Sequence, residues 1–271
     1  MYSIKKMVQP DNFDEAWELL QKSPRNVILG GGLFLKLGEK SINKAVDLTH
    51  LGLDFIEKVD DSIRIGSMVS FGRLEEHKLL NDETGGIIRK SLETIVSKQI
   101  RNMATLGGSI ITRFGFSDFL PGLLLLNPTL YFYKYGKITL EEYFALEKPL
   151  TKDILMEISI PLKKGIGVYC TQKKTYGDFP MLNMALFYTE GQYKIAVGAR
   201  PGRAMIAEKT SKYLSAHELG PSILQESQKI LLDEIPLSTN GKASKRYREL
   251  LAKGHLEKCL KEIKNENRYS C

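Results

Sequence analysis

Two glycine clusters are the residues in this chain whose types and spacing could do chemistry. They are Gly30-Gly31-Gly32 and Thr105-Leu106-Gly107-Gly108-Ser109, the second inside the stretch Asn102 to Ile110. Glycine has no Cβ, so it can take positive φ and let a ligand approach the main chain closely. Consecutive N–H groups in such a turn form an anion-holding concavity. A Thr and paired glycines lie between an apolar run and a second apolar segment that opens at Ser117-Asp118-Phe119-Leu120-Pro121. That pattern describes a turn with bare amides, suited to phosphate. A lone Gly-Gly pair equally describes a tight turn between core segments; the upstream cluster tips the reading toward a ligand.

The standard nucleotide motifs fail on spacing. A Walker A loop needs Gly-x4-Gly-Lys-Ser/Thr, but Gly32 and Gly38 enclose five residues and Glu39 precedes Lys40-Ser41. A dinucleotide fingerprint needs a third glycine at 35, where Leu35 stands.

Other chemistries lack their residues. Three cysteines, Cys170, Cys259 and Cys271, show neither a disulfide framework nor a Cys-x-x-Cys pair. Only His255 and Cys259 share a helical face at i, i+4, too few ligands for structural zinc or an iron–sulfur cluster. No Ser/His/Asp or Cys/His nucleophile assembles from the motifs. The net charge of +7 owes much to Lys242–Arg268, where Lys and Arg alternate with Glu. That pattern is a solvated helix face rather than a nucleic-acid footprint. No segment reaches the ~18 unbroken apolar residues of a membrane span, and the first residues lack a signal peptide's apolar centre. The expected address is the cytoplasm.

The elements that must position the glycines follow from hydrophobic periodicity. A strand over 2–8 precedes a helix over 13–20, capped by Asp11 or Asn12. Val27-Ile28-Leu29 reads as a buried parallel strand leading into Gly30, and the apolar segment 33–37 as a helix that opens on the glycine turn. A strand at 44–48, a hairpin at 55–66 that turns at Asp60-Asp61, helical spacing in 71–80, 84–97 and 118–126, and a strand at 129–133 follow. Near 150 the texture changes to strands at 153–161, 166–174, 182–190 and 192–199, the last two turned antiparallel by Gly191, then helices at 204–216, 221–232 and 243–265. Strands first and helices afterwards suggest a separate α+β domain. The expected division is 1–165 and 166–271.

Gln99-Ile100-Arg101-Asn102-Met103-Ala104-Thr105-Leu106-Gly107-Gly108-Ser109-Ile110, followed by Ser117-Asp118-Phe119-Leu120-Pro121, is similar to the second flavin motif of the FAD-binding medium subunits of molybdenum hydroxylases, the xanthine dehydrogenase and carbon monoxide dehydrogenase type. Gly30-Gly31-Gly32 after an apolar strand resembles the first motif. Ile154 to Pro161, Tyr176-Gly177-Asp178-Phe179-Pro180, Ala196 to Pro201 and Ala243 to Arg248 resemble later landmarks. Essentially the whole chain is covered. The resemblance implies an α+β chain: an N-terminal PCMH-type FAD-binding domain of two α/β subdomains, then a C-terminal domain with an antiparallel sheet and helices.

The resemblance also implies a site. Leu29, Gly30, Gly31, Gly32, Leu33 and Phe34 would hold the FAD pyrophosphate with Thr105, Gly107, Gly108 and Ser109, largely through amides. Asp118 would reach the adenosine ribose, and Leu155 and Met156 would pack near the flavin. The loop carrying Tyr176, Asp178 and Phe179 would approach it from the other side. Leu33-Phe34 stand where the family often has a polar pair, and Ser109 where Asn is usual; an amide cradle does not depend on those side chains. By the same resemblance, a large subunit holds molybdopterin and a small one [2Fe–2S] clusters. This chain would pass electrons from those clusters through FAD to NAD or another acceptor. Plain strand core at 155–156, a flavin-less scaffold subunit and a free-standing flavin oxidoreductase are the alternatives.

Overall fold

A computed structural model describes residues 3–35, 38–39 and 41–269. Lys36, Leu37 and Cys271, singled out above, lie outside them. In chain order the elements begin β1 (Ser3–Val8), α1 (Phe13–Gln21), β2 (Asn26–Leu29), β3 (Ser41–Asp47), β4 (Ile56–Val59) and β5 (Ser62–Gly66). Short helices follow: α2 (Phe71–Glu76), α3 (Lys78–Glu83), α4 (Ile87–Leu92), α5 (Lys98–Met103), α6 (Leu106–Thr112) and α7 (Phe119–Leu126). Then come β6 (Thr129–Phe132), β7 (Gly136–Thr139), α8 (Leu140–Ala145), β8 (Leu155–Pro161), β9 (Ile166–Gln172), β10 (Leu182–Thr189), β11 (Gln192–Gly198) and β12 (Met205–Ile206). The chain closes with α9 (Glu208–Ser215), α10 (Pro221–Glu234) and α11 (Lys245–Tyr269).

These elements form two compact units that interleave along the chain. One comprises residues up to Leu74, Ser97–Arg113 and Asn127–Pro161; the other comprises Glu75–Val96, Phe114–Leu126 and the residues from Leu162 onward.

The first unit holds two sheets. A parallel one runs β1-β3-β2, with Val27 beside Ala45 and Val8 beside Val46. An antiparallel one runs β4-β5-β8-β6-β7. Asn12 caps α1 by accepting from the Glu15 amide at 2.9 Å. Ala16, Leu19 and Leu20 of that helix bury against Val46, Leu48, Leu53 and Ile154. Trp17, half-buried, packs against this cluster. The hairpin turn at Asp60-Asp61 has Asp60 at φ +49°, the left-handed conformation that a two-residue hairpin needs. After the glycines, Leu33 and Phe34 form a turn and Leu35 is in 3-10 conformation, so the described part of the expected helix 33–37 carries no α-helix.

The second unit is built on the antiparallel sheet β12-β11-β10-β9. Glu190 at φ +48° and Gly191 at φ +80° make the β10–β11 turn, as the glycine there indicated. Val168, Leu182, Met184, Leu186 and Val197 of the sheet bury against Leu214, Leu231, Ala252, Leu256 and Ile263 of α9, α10 and α11. Helix α7 is buried throughout. The helix expected over 84–97 is only α4, whose start is set by Gly85 and Gly86 at φ of +57° and +72°. A Cβ on Gly85 would come within 2.5 Å of the Gly165 carbonyl oxygen.

Candidate functional site: a glycine cradle

In the first unit β2 ends at Leu29 and the chain passes directly into Gly30-Gly31-Gly32. It runs alongside the second glycine stretch at main-chain distance. A Cβ on Gly31 would lie 1.5 Å from the Met103 carbonyl oxygen, and one on Gly30 would lie 2.7 Å from Thr105 Oγ1 and 3.9 Å from the Gly108 Cα. No other residue type fits at 31. Gly32 sits at φ +70° and turns the chain. Among the described residues, no hydrogen bond takes the amides of Gly31, Gly32 and Leu33. Consecutive amides left open in this way can receive an anion.

The second stretch is held differently. Ser70 bridges Thr105 in antiparallel fashion: the Phe71 amide donates to the Ala104 carbonyl at 2.9 Å and the Leu106 amide to the Val69 carbonyl at 2.9 Å. The Gly107 amide donates to the Ser67 carbonyl at 2.8 Å, and a Cβ there would meet the Ser67 side chain at 2.9 Å. The expectation of bare amides throughout 105–109 is corrected at three positions: Leu106 and Gly107 are stitched to the connector after β5, and the Ser109 amide donates to the Thr105 carbonyl at 3.2 Å. Gly107 is glycine because Ser67 fills the space beside it. Gly108 differs, since a Cβ there would meet only Thr105 Oγ1, at 3.0 Å. Its amide has only a long 3.3 Å bond to that hydroxyl, the N-cap of α6. Gly108 and half-buried Ser109 lie in the first turn of α6, where partial positive charge gathers.

Two residues outside the motifs position this arrangement. Ser67 also donates its amide to the Met156 carbonyl at 2.9 Å, so one serine ties β8 to the glycine turn. Leu155 is buried in β8 and Met156 half-buried. At the far end of α6, buried Arg113 takes φ +46° and donates to the carbonyls of Tyr143 (2.9 Å) and Leu146 (2.8 Å). Only the fold reveals Ser67. The capping box Thr139–Glu142 that starts α8 was readable and anchors the segment Arg113 grips. Phe34 and Met103 are exposed, at 38% and 42%.

The remaining sequence-derived residues, Asp118 and Asp178, belong to the second unit. Asp118 is buried, with Oδ1 accepting from the Tyr169 hydroxyl at 3.0 Å and Oδ2 paired with buried Lys173 Nζ at 3.0 Å. Burial pushes the Asp118 carboxyl up, opposed by Lys173, and pushes the Tyr169 phenol well above its usual range. Lys173 lines a pocket of about 420 Å³ with Thr94, Lys174 and Tyr176. Asp178 accepts from Lys242 Nζ at 2.5 Å and from the Phe179 amide at 2.7 Å, and the lysine holds its carboxyl below the usual range. Lys242 also stands over the Phe179 ring. No group of three or more His, Cys, Asp or Glu that could hold a metal ion occurs among the described residues.

Residues 2–163 match the family model described as the FAD binding domain in molybdopterin dehydrogenase. This chain belongs to that family. Residues 168–263 match a second model, the CO dehydrogenase flavoprotein C-terminal domain. Gly30 and Gly31 let the two stretches pack at main-chain distance, and the amides of Gly31, Gly32 and Leu33 stay open beside them.

Relatives agree at low identity. The chain is 28% identical to the "Uncharacterized protein YgfM" of Escherichia coli K12 over 57% of its own length, spanning 60% of that protein. It is 23% identical to the glyceraldehyde dehydrogenase medium chain of Sulfolobus acidocaldarius, over 94% of this chain and 97% of that one. Its fold matches a chain of reconstituted CO dehydrogenase from Oligotropha carboxidovorans with TM-score 0.87 and 22% identity, covering 97% of this chain and 98% of the other. The expected fold class, an FAD-binding domain followed by a CO dehydrogenase flavoprotein C-terminal-like domain, is the observed one.

Proposed function

We propose that this chain is the FAD-bearing electron-transfer subunit of a molybdopterin-containing hydroxylase or dehydrogenase, of xanthine dehydrogenase-like type, working in the cytoplasm. Residues 1–165 serve as its FAD-binding domain and 166–271 as its C-terminal domain. In this reading it takes electrons from [2Fe–2S] clusters on a small subunit, supplied by a molybdopterin-bearing large subunit, and delivers them to NAD or another acceptor. The observation that carries the proposal is the pairing of open amides at Gly31–Leu33 with the uncovered face of Gly108, inside a domain of the FAD-binding family.

FAD supplies the redox chemistry, since protein side chains carry no comparable electron store. The chain's own part is binding and orientation. The amides of Gly31, Gly32 and Leu33 would hold one phosphate, and Gly108 with Ser109 and Thr105 the other. Leu29 and Phe34 border the first loop. Leu155 and Met156, tied in by Ser67, would form the apolar wall for the flavin ring, while Asp118 would serve the ribose and Asp178 the loop beside the flavin.

Purification from the native source tests this. Flavin absorbance, with companion subunits carrying molybdopterin and [2Fe–2S], is the expected result. A solitary flavoprotein would overturn the electron-transfer role, and a protein that takes up no added FAD would leave only a scaffold role.

A further inference from the structure

Cys170 on β9 and Cys259 on α11 are both buried in the core of the second unit, and Cys259 Sγ lies 3.3 Å from Cys170 Sγ, 89 residues apart in sequence. The elements they join are also linked by a polar contact: Lys90 Nζ donates to the Gly167 carbonyl of β9 at 2.8 Å and to Glu266 of α11 at 2.8 Å. Small aliphatic side chains would fill such a core equally well; two thiols in mutual contact can also react. We propose that Cys170 and Cys259 form a convertible thiol pair, which a hydroperoxide oxidises to a disulfide that locks α11 onto β9. No flavin contact enters this inference, so it stands apart from the FAD reading.

The two sulfurs are not equivalent. The Cys259 thiol donates toward Cys170, which lowers the Cys170 thiol and raises Cys259, with Lys258 further favouring the Cys170 thiolate. Cys170 is therefore the attacking sulfur. Its thiolate bonds to one peroxide oxygen and breaks the O–O bond; the departing hydroxide takes up a proton and leaves as water. Cys259 then attacks the resulting sulfenic sulfur, the S–O bond breaks, and the second oxygen leaves as water with the Cys259 proton. Two thiols and one hydrogen peroxide become one disulfide and two waters. Sulfur–sulfur contact must close from 3.3 Å to about 2.05 Å.

The test uses the full chain with Cys271→Ser, so that only this pair can respond. Hydrogen peroxide is titrated in and free thiols are counted after denaturation. Both thiols should disappear together, with peptides containing Cys170 and Cys259 joined in a non-reducing digest, and dithiothreitol should restore them. The oxidised protein should melt several degrees higher. In Cys259→Ala, or Cys259→Ser if the alanine variant does not fold, Cys170 should be trapped as a sulfenic acid by a cyclic 1,3-dione. Thiols that persist under peroxide sufficient to oxidise the unfolded chain would overturn the proposal. So would loss of Cys170 alone to sulfinic acid in the protein that keeps Cys259.

Discussion

Gly31 and Met103 are in main-chain contact: a Cβ added to Gly31 would sit 1.5 Å from the Met103 carbonyl oxygen. The two glycine motifs therefore touch through backbone. Gly31→Ala must push the loops apart, and overpacking of this kind costs about 1–3 kcal/mol or more. Chemical denaturation should show a lower midpoint at unchanged slope. Wild-type stability in this variant would mean that the loops are not in contact.

Gly108→Val should behave in the opposite way. Its Cβ meets only the Thr105 hydroxyl, at 3.0 Å, so stability should change by about 1 kcal/mol or less, while the added bulk stands in the cradle. A folded, colourless protein is expected by circular dichroism and visible absorbance. Full flavin occupancy would refute the placement of the diphosphate.

The Asp118–Lys173 pair is buried on both sides, at 7% and 9% exposure. Removing one partner leaves an uncompensated buried charge and costs about 3–5 kcal/mol. Lys173→Met should show that loss in urea unfolding, and Asp118→Asn combined with Lys173→Met should recover much of it. Equal losses in the single and double variants would rule out coupling.

His255 supplies a pH dependence. Burial lowers its pKa from 6.5 to about 4, and its Nε2 has no hydrogen-bond partner among the described residues. The unfolded chain then binds a proton that the native state refuses. This contribution is fully present above pH 6.5 and is lost as pH falls through 4, a decline of about 3 kcal/mol. His255→Asn should flatten the pH profile of stability over that range; an unchanged profile would place the acid sensitivity elsewhere.

Much of the architecture was legible in sequence because its signals are local. Asn12 ahead of an apolar stripe, Asp60-Asp61 between alternating runs and Gly191 between two strands each act over a few residues, and each appears where expected. Where glycine overrides periodicity, the reading overshot: Gly85 and Gly86 delay the start of the expected helix 84–97 to Ile87. At the site, the sequence identified the two glycine motifs, which the structure brings together in the first unit.

What sequence alone determined, then, is the two glycine motifs and the FAD-binding family to which they belong, because backbone freedom is a property of residue type. Which amides remain open was decided only by tertiary structure. Gly107 and Gly108 are chemically identical neighbours, yet the Gly107 amide is taken by Ser67, forty residues earlier, while Gly108 faces away from it. The reason is that a hydrogen bond depends on where a distant carbonyl is brought by the fold, and no pattern of neighbouring residues specifies that position.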